Sequence, residues 1–237
     1  NEGKRVATYY KQRLPNYEVF DEERYFDSGD DPCVLTLKGV RCGVNICADV
    51  WESGAAEVAR VMAANDIHAW LARADTPTPA ISYAVVNKGA TAGIMITASH
   101  NPPRYNGVKL KASYGGSASP DQHRQVERLL TANVAAGRTP RLMDLDQALR
   151  EGRVVKFDPA WAYYEHLGRL IDLDIIHEGE LRVIHDAMYG AGRRTISEML
   201  MRTRTHVLNM RDEMNPGFGG IHPEPIAKHL GLLASAM

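Results

Sequence analysis

Gly93-Ile94-Met95-Ile96-Thr97-Ala98-Ser99-His100-Asn101-Pro102 is the stretch on which the reading of this chain turns. It opens on a continuous apolar run, the pattern of a strand buried on both faces of a parallel sheet. That strand delivers Ser99 to a tight polar loop, and open α/β sheets carry functional groups at the carboxyl ends of their strands. Pro102 and Pro103 stiffen the exit, and Asn106-Gly107 supplies a turn. Val108 to Leu110 then resumes an apolar segment with Lys109 in its middle. A phosphorylated Ser99 would carry roughly two negative charges. Lys109 is suited to neutralising them, or to moving a proton to or from a hydroxyl. Taken alone, a Ser-His-Asn-Pro tetrapeptide reads more simply as a cap or a turn.

Working outward, strand and helix patterns alternate. Val34 to Leu37 and Val40 to Cys47 read as two short strands around Lys38-Gly39. Ala55 to Asn65 has helical spacing, with Ala55, Val58, Ala59 and Met62 on one face. Ile67 to Leu71 is a short apolar strand. Thr76-Pro77-Thr78-Pro79 is a rigid turn, and Pro79 suits the first turn of a helix running through Asn87. Gly89 is placed to end it as the C′ residue. Asp121 to Ala132 is a further helix, and from Thr139 to Arg153 the chain is charged and less regular.

Beyond a boundary expected near Arg150 to Arg153 the style repeats. Trp161 to Ile171 is helical, with Tyr164, Leu167 and Ile171 on one side. Leu181 to Ile184 is a strand, Asp186 to Gly192 a loop and Arg193 to Met201 a helix. Thr205 to Met210 is another strand, Asn215 to Glu224 a Gly/Pro-rich loop, and the chain stops in or after a final helix. The expected fold class is α/β: layered mixed, mostly parallel sheets with flanking helices, in two consecutive α/β units. Arg193, Arg194, Arg202 and Arg204 read as a solvated helix face, and Gly190-Ala191-Gly192 as a Gly-rich turn rather than a dinucleotide fingerprint.

The 237 residues include 28 Lys+Arg and 29 Asp+Glu, a formal net charge of -1 that lacks the basic excess of a nucleic-acid binder. Cys33, Cys42 and Cys47 match no zinc spacing, and three cysteines do not make a disulfide framework. No signal peptide opens the chain and no apolar run is long enough to span a bilayer. The expectation is a cytoplasmic enzyme with free thiols, binding neither nucleic acid nor membrane.

The ten-residue run, with Tyr105-Asn106-Gly107 and Lys109 after it, resembles the phosphoserine signature of the α-D-phosphohexomutases. That family includes phosphoglucomutase, phosphomannomutase and phosphoglucosamine mutase. Thr76-Pro77-Thr78-Pro79-Ala80 with Ser82-Tyr83-Ala84 is similar to the family's preceding segment. Phe157-Asp158-Pro159, Asp186 to Gly192, and Phe218-Gly219-Gly220 through His222-Pro223-Glu224-Pro225 look like its second domain. The likeness runs in order over about 55–237, with 55–150 resembling domain I and 151–237 part of domain II.

The resemblance implies transfer of a phosphoryl group between Ser99 and a hexose phosphate or hexose bisphosphate. Its catalytic set here would be Ser99, His100, Asn101 and Lys109, with Mg2+ bound through the Ser99 phosphate. There are departures: Ala187 stands where Pro is usual, Tyr189 where His is usual, and Asp66 where Gly is common. The family's metal loop, sugar-specificity loop and phosphate-binding domain are not found before Met237. Weak or absent turnover, and self-association through an open sheet edge, are therefore expected.

Residues 1–54 read differently. Lys11 through Tyr17, Phe20-Asp21-Glu22, Arg24-Tyr25-Phe26 and Gly43 through Trp51 resemble the nitrilase-like glutaminase domain of glutamine-dependent NAD synthetase. That family hydrolyses an amide through a Glu-Lys-Cys triad. Lys11 and Cys47 match its Lys and nucleophile and Glu22 a further acid, whereas Ala48 replaces a usual Glu. The triad's Glu has no counterpart from Asn1 onward, so an inert Cys47 is expected. The chain thus reads as a join of two partial enzymes, a chimera with its seam between Trp51 and Val58. Amide hydrolysis and a non-catalytic fragment are the alternatives to mutase chemistry.

Overall fold

The computed structural model describes residues 33–37, 40–44, 53–103 and 105–237, the first two of these segments as backbone only. In chain order these carry β1 (Cys33–Leu37), β2 (Val40–Val44), α1 (Ser53–Ala64), β3 (Ala69–Ala72), α2 (Thr78–Asn87), β4 (Ala92–Ile96) and β5 (Val108–Ala112). There follow α3 (Pro120–Ala135), α4 (Leu145–Arg150), β6 (Val154–Phe157), α5 (Ala160–Gly168), α6 (Leu173–Glu178), β7 (Arg182–Asp186), α7 (Thr195–Leu200), β8 (His206–Met210) and α8 (Gly231–Ala236). The class is the expected mixed α/β.

The strands pair two by two among the described residues. β1–β2 and β4–β5 are antiparallel, and β3–β6 and β7–β8 are parallel. The expected hairpin around Lys38-Gly39 is present, with Leu37 opposite Val40; its expected continuation to Cys47 lies outside the described residues.

β4 departs from its reading. It is not buried on both faces of a parallel sheet but half-buried and antiparallel to β5, with Gly93 opposite Lys111 and Met95 opposite Lys109. An apolar run of this length specifies a strand but not its partner. The partner is set by the loop after Thr97, which folds the chain straight back.

Helices cover both faces of this pair. A Cβ on Gly54, in α1, would meet the Ile96 side chain at 3.1 Å, whereas one on Gly93 would meet Val85 of α2 at 2.6 Å. Residues 93 and 96 point to opposite faces of the strand. Helix, strand pair and helix are therefore layered, and Gly93 is needed for the close approach of α2.

α1 buries Ala56, Ala59 and Ala63, while Ala55, expected on the buried face, is exposed. Ala59 and Ala63 share a core with Ala148 of α4 and Val154 of β6. β6 is also paired with β3, Ala69 lying opposite Val154. The boundary expected at 150–153 thus falls between two elements of a single core.

The remaining helices follow local chemistry. α2 starts with Pro in its first turn and ends with Gly89 at φ +61, as expected of a C′ residue. Asp66 takes up the left-handed conformation after α1 (φ +57) with its carboxylate on Arg153. α3 opens on a reciprocal Ser119–Gln122 capping box. It buries none of its residues, and Val126, Leu129, Leu130 and Val134 stay exposed. The second unit meets the first through Tyr83 stacked on His166 (4.3 Å) and an Arg193 Nε–Asp75 Oδ2 ion pair of 2.8 Å.

Candidate functional site

The β4–β5 ladder continues one step beyond β4, where the Thr97 N–H donates to Gly107 O (2.9 Å). The two chains are close here, since a Cβ on Gly107 would lie 3.0 Å from Thr97 O. Residues 98–106 therefore form a loop whose ends are clamped by the sheet, with Ser99 on its near side.

Ser99 has φ +59, a left-handed conformation that L residues other than Gly rarely adopt. Its N–H donates to Thr97 Oγ1 at 3.0 Å. Its exposed Oγ lies 3.3 Å from His100 Nδ1. With the proton on Nε2, that ring nitrogen accepts from the hydroxyl. Both the backbone N–H and the Nδ2 of Asn101 donate to Ala98 O, at 3.1 and 2.9 Å. Further round, the Tyr105 N–H donates to Pro102 O at 3.0 Å.

Of the expected set, Ser99 and His100 are in contact. Asn101 closes the loop without touching Ser99. Lys109 stands on β5 opposite Met95, exposed, and strand alternation puts it on the same face as the Thr97 side chain. Lys11, Glu22 and Cys47 lie outside the described residues. Thr97 was not singled out from sequence; the available signal was a hydroxyl two residues before the candidate nucleophile, the spacing of a side chain that accepts the i+2 N–H.

Magnesium takes oxygen ligands from one or two carboxylates plus phosphate and water. Among the described residues no group of three or more His, Cys, Asp or Glu is gathered that could hold a metal ion. Residues 98–107 contain no Asp or Glu, so the loop itself offers magnesium no carboxylate.

In the second unit, the loop after β7 is shaped by Met188 and Tyr189, both left-handed, and by Asp186, which accepts from the Met188 N–H at 3.0 Å. The arginines expected on a solvated helix face lie at the ends of α7 and are largely paired. Arg193 meets Asp75, Arg194 meets Asp212 and Arg204 meets Glu180.

Comparison with known proteins matches the phosphoglucomutase/phosphomannomutase alpha/beta/alpha domain I to residues 44–136 and domain II to residues 161–237. The domain I match begins upstream of the expected seam. The probable phosphoglucosamine mutase of Methanosphaera stadtmanae is 33% identical over 165 residues, which is 66% of this chain and 33% of that protein. A phosphomannomutase-type crystal structure from Thermus thermophilus superposes with a TM-score of 0.64 at 32% identity, over 75% of this chain and 39% of that one. A stretch of 52 residues, 21% of the chain, is 60% identical to the glutamine-dependent NAD(+) synthetase of Xanthomonas campestris pv. campestris, of which it covers 9%. The chain spans about a third of the length of the curated mutases it matches. Among the described residues no helix is long and apolar enough to cross a membrane.

Proposed function

The chain belongs to the phosphoglucomutase/phosphomannomutase family, and we propose that it carries that family's phosphoryl-accepting loop, with Ser99 as the acceptor and a hexose bisphosphate as the donor. The observation that carries this reading is the exposed Ser99 Oγ, presented on a left-handed residue 3.3 Å from His100 Nδ1. In the transfer, Ser99 Oγ forms a bond to phosphorus as the bond from phosphorus to the sugar oxygen breaks. His100 Nδ1 takes the serine proton. The departing sugar oxygen gains a proton, for which Lys109 is the nearest candidate donor along the ladder. The reverse step returns a phosphate to the sugar at its other position.

Such transfer depends on positioning and on stabilising the charge of the transferred group. The two bonds from Asn101 to Ala98 O fix the loop, and exposed Lys109 contributes positive charge on the Thr97 side of the sheet. The family resemblance favours magnesium as the additional counter-charge. Incubation with glucose 1,6-bisphosphate and magnesium, followed by intact-mass measurement, tests the reading. The wild-type chain gains one phosphate and Ser99→Ala gains none; no gain in the wild type would reject it.

The 52-residue likeness to NAD(+) synthetase favours a second reading for the beginning of the chain, amide hydrolysis with Cys47 as nucleophile. Ammonia release from glutamine that disappears in Cys47→Ala would establish it, and its absence leaves Cys47 an inert thiol.

A further inference from the structure

We propose that Thr97 is the positioning residue of the phosphoryl-accepting loop, holding Ser99 in the conformation that aims its hydroxyl at His100. This rests on the reading of Ser99 as the acceptor. Three facts converge on Thr97. Its own N–H is tied to Gly107 O at 2.9 Å, so its backbone belongs to the sheet rather than to the loop. Its carbonyl packs against Gly107 so closely that a Cβ there would sit 3.0 Å away, which leaves Thr97 little freedom to shift. Its Oγ1 accepts the Ser99 N–H at 3.0 Å. The hydroxyl thus transmits the rigidity of the ladder to Ser99, held at φ +59.

The neighbours of Ser99 are secured separately. Ala98 O takes two bonds from Asn101. The Ser99 N–H donates to the Thr97 hydroxyl. A left-handed Ser is strained relative to the common backbone regions, and this bond offsets the strain. Without it the backbone can relax towards negative φ, which swings Oγ away from His100 Nδ1. Thr97 touches neither phosphorus nor sugar in this scheme. It acts through Ser99.

The test uses Thr97→Val, which keeps the branched shape and removes the acceptor, and Thr97→Ser, which keeps the acceptor and removes the methyl. Two quantities are read: the amide hydrogen-exchange rate of Ser99 without any sugar, and the initial rate of phosphate uptake from glucose 1,6-bisphosphate. Loss of one hydrogen bond corresponds to about a fivefold effect. Thr97→Val is expected to show about that acceleration of exchange and that slowing of uptake, and Thr97→Ser to match the wild type in both. A merely structural role would move melting temperature in both variants without separating Val from Ser. Ser99 exchange unchanged in Thr97→Val overturns the inference. So does uptake equal to the wild type, with the reading of Ser99 left standing. If the wild type takes up no phosphate, it is the reading of Ser99 that fails, and exchange alone then decides whether Thr97 holds the loop.

Discussion

Arg211 grips Asp186 as a two-pronged fork, with Nε donating to Oδ1 at 2.8 Å and Nη2 donating to Oδ2, and the two side chains are only 7% and 2% exposed. The pair joins the carboxyl ends of β7 and β8. Arg211 Nη2 also reaches His229 O at 3.4 Å. Burial alone would push the Asp186 carboxyl up. The bonds from Arg211 and from the Met188 N–H outweigh it and hold the group below the ordinary carboxylate range.

Because the folded-state pKa of Asp186 is depressed, its contribution to stability is complete above the unfolded value of about 4. It is lost as pH falls through the lower folded value. Asp186→Asn leaves a buried guanidinium without its counter-charge and should cost roughly 3–5 kcal/mol at neutral pH. Urea unfolding at pH 7 checks the magnitude. The gap between variant and wild type should begin to narrow below about pH 4, where the unfolded carboxyl takes up a proton, and should close as pH falls through the lower folded value.

Asp66 occupies a position that favours Gly (φ +57), and its carboxylate is bonded to Arg153. A left-handed conformation strains an L residue, though Asp less than most, and an ion pair this exposed to solvent contributes little. Asp66→Gly removes both and should leave stability unchanged or slightly raised. Asp66→Ala keeps the strain and loses the pair, so it should be less stable than Asp66→Gly by about 1 kcal/mol. Denaturant midpoints of the two variants against the wild type decide this ordering.

Val154 is 1% exposed and packs with Ala59, Ala63 and Ala148. Val154→Ala should destabilise by roughly 2 kcal/mol, the transfer cost of two methyl groups plus the cavity left behind. Faster amide exchange in α1 and β3 should accompany the loss, because β6 belongs to their core. Exchange that rises only after residue 157 would place β6 with the second unit.

The elements that rest on local chemistry were legible in the sequence. The start of α2 at a Pro and its end at Gly89 follow from backbone preferences, and the loop bearing Ser99 from its polar and Pro-rich composition. Pairing was not legible. β4 looked like the strand of a parallel sheet because every residue from Gly93 to Ile96 is small or apolar, yet its partner is β5, and the chain turns back at Ser99-His100, where the Asn101 N–H meets Ala98 O, rather than at the expected Asn106-Gly107. β6 joins β3 across a long stretch of chain, and no short-range signal reports that contact. The buried face of α1 was misplaced at Ala55, since a helix rich in Ala gives little contrast between faces. Within the site, residue types announced Ser99, His100 and Lys109. The role of Thr97 depends on a backbone conformation that composition does not reveal.

His100 and Lys109 carry separable parts of the chemistry. His100→Asn removes the nitrogen facing Ser99 Oγ and should slow phosphate uptake by about a hundredfold, the lower range for loss of a general base. Lys109→Met removes charge without touching the Oγ–Nδ1 contact and should slow uptake less, by about tenfold. Equal rates in wild type and His100→Asn would remove His100 from the proton path. Rapid-quench mass measurement after mixing with bisphosphate supplies the rates.

Which atom receives the phosphate is decided by peptide mapping. The chain is incubated with glucose 1,6-bisphosphate and magnesium, digested, and its phosphopeptides sequenced. A single modified peptide is expected, spanning the loop between β4 and β5, with the phosphate on Ser99 and no modified peptide from Ser99→Ala. Stable phosphate on other residues with none on Ser99 would contradict that assignment.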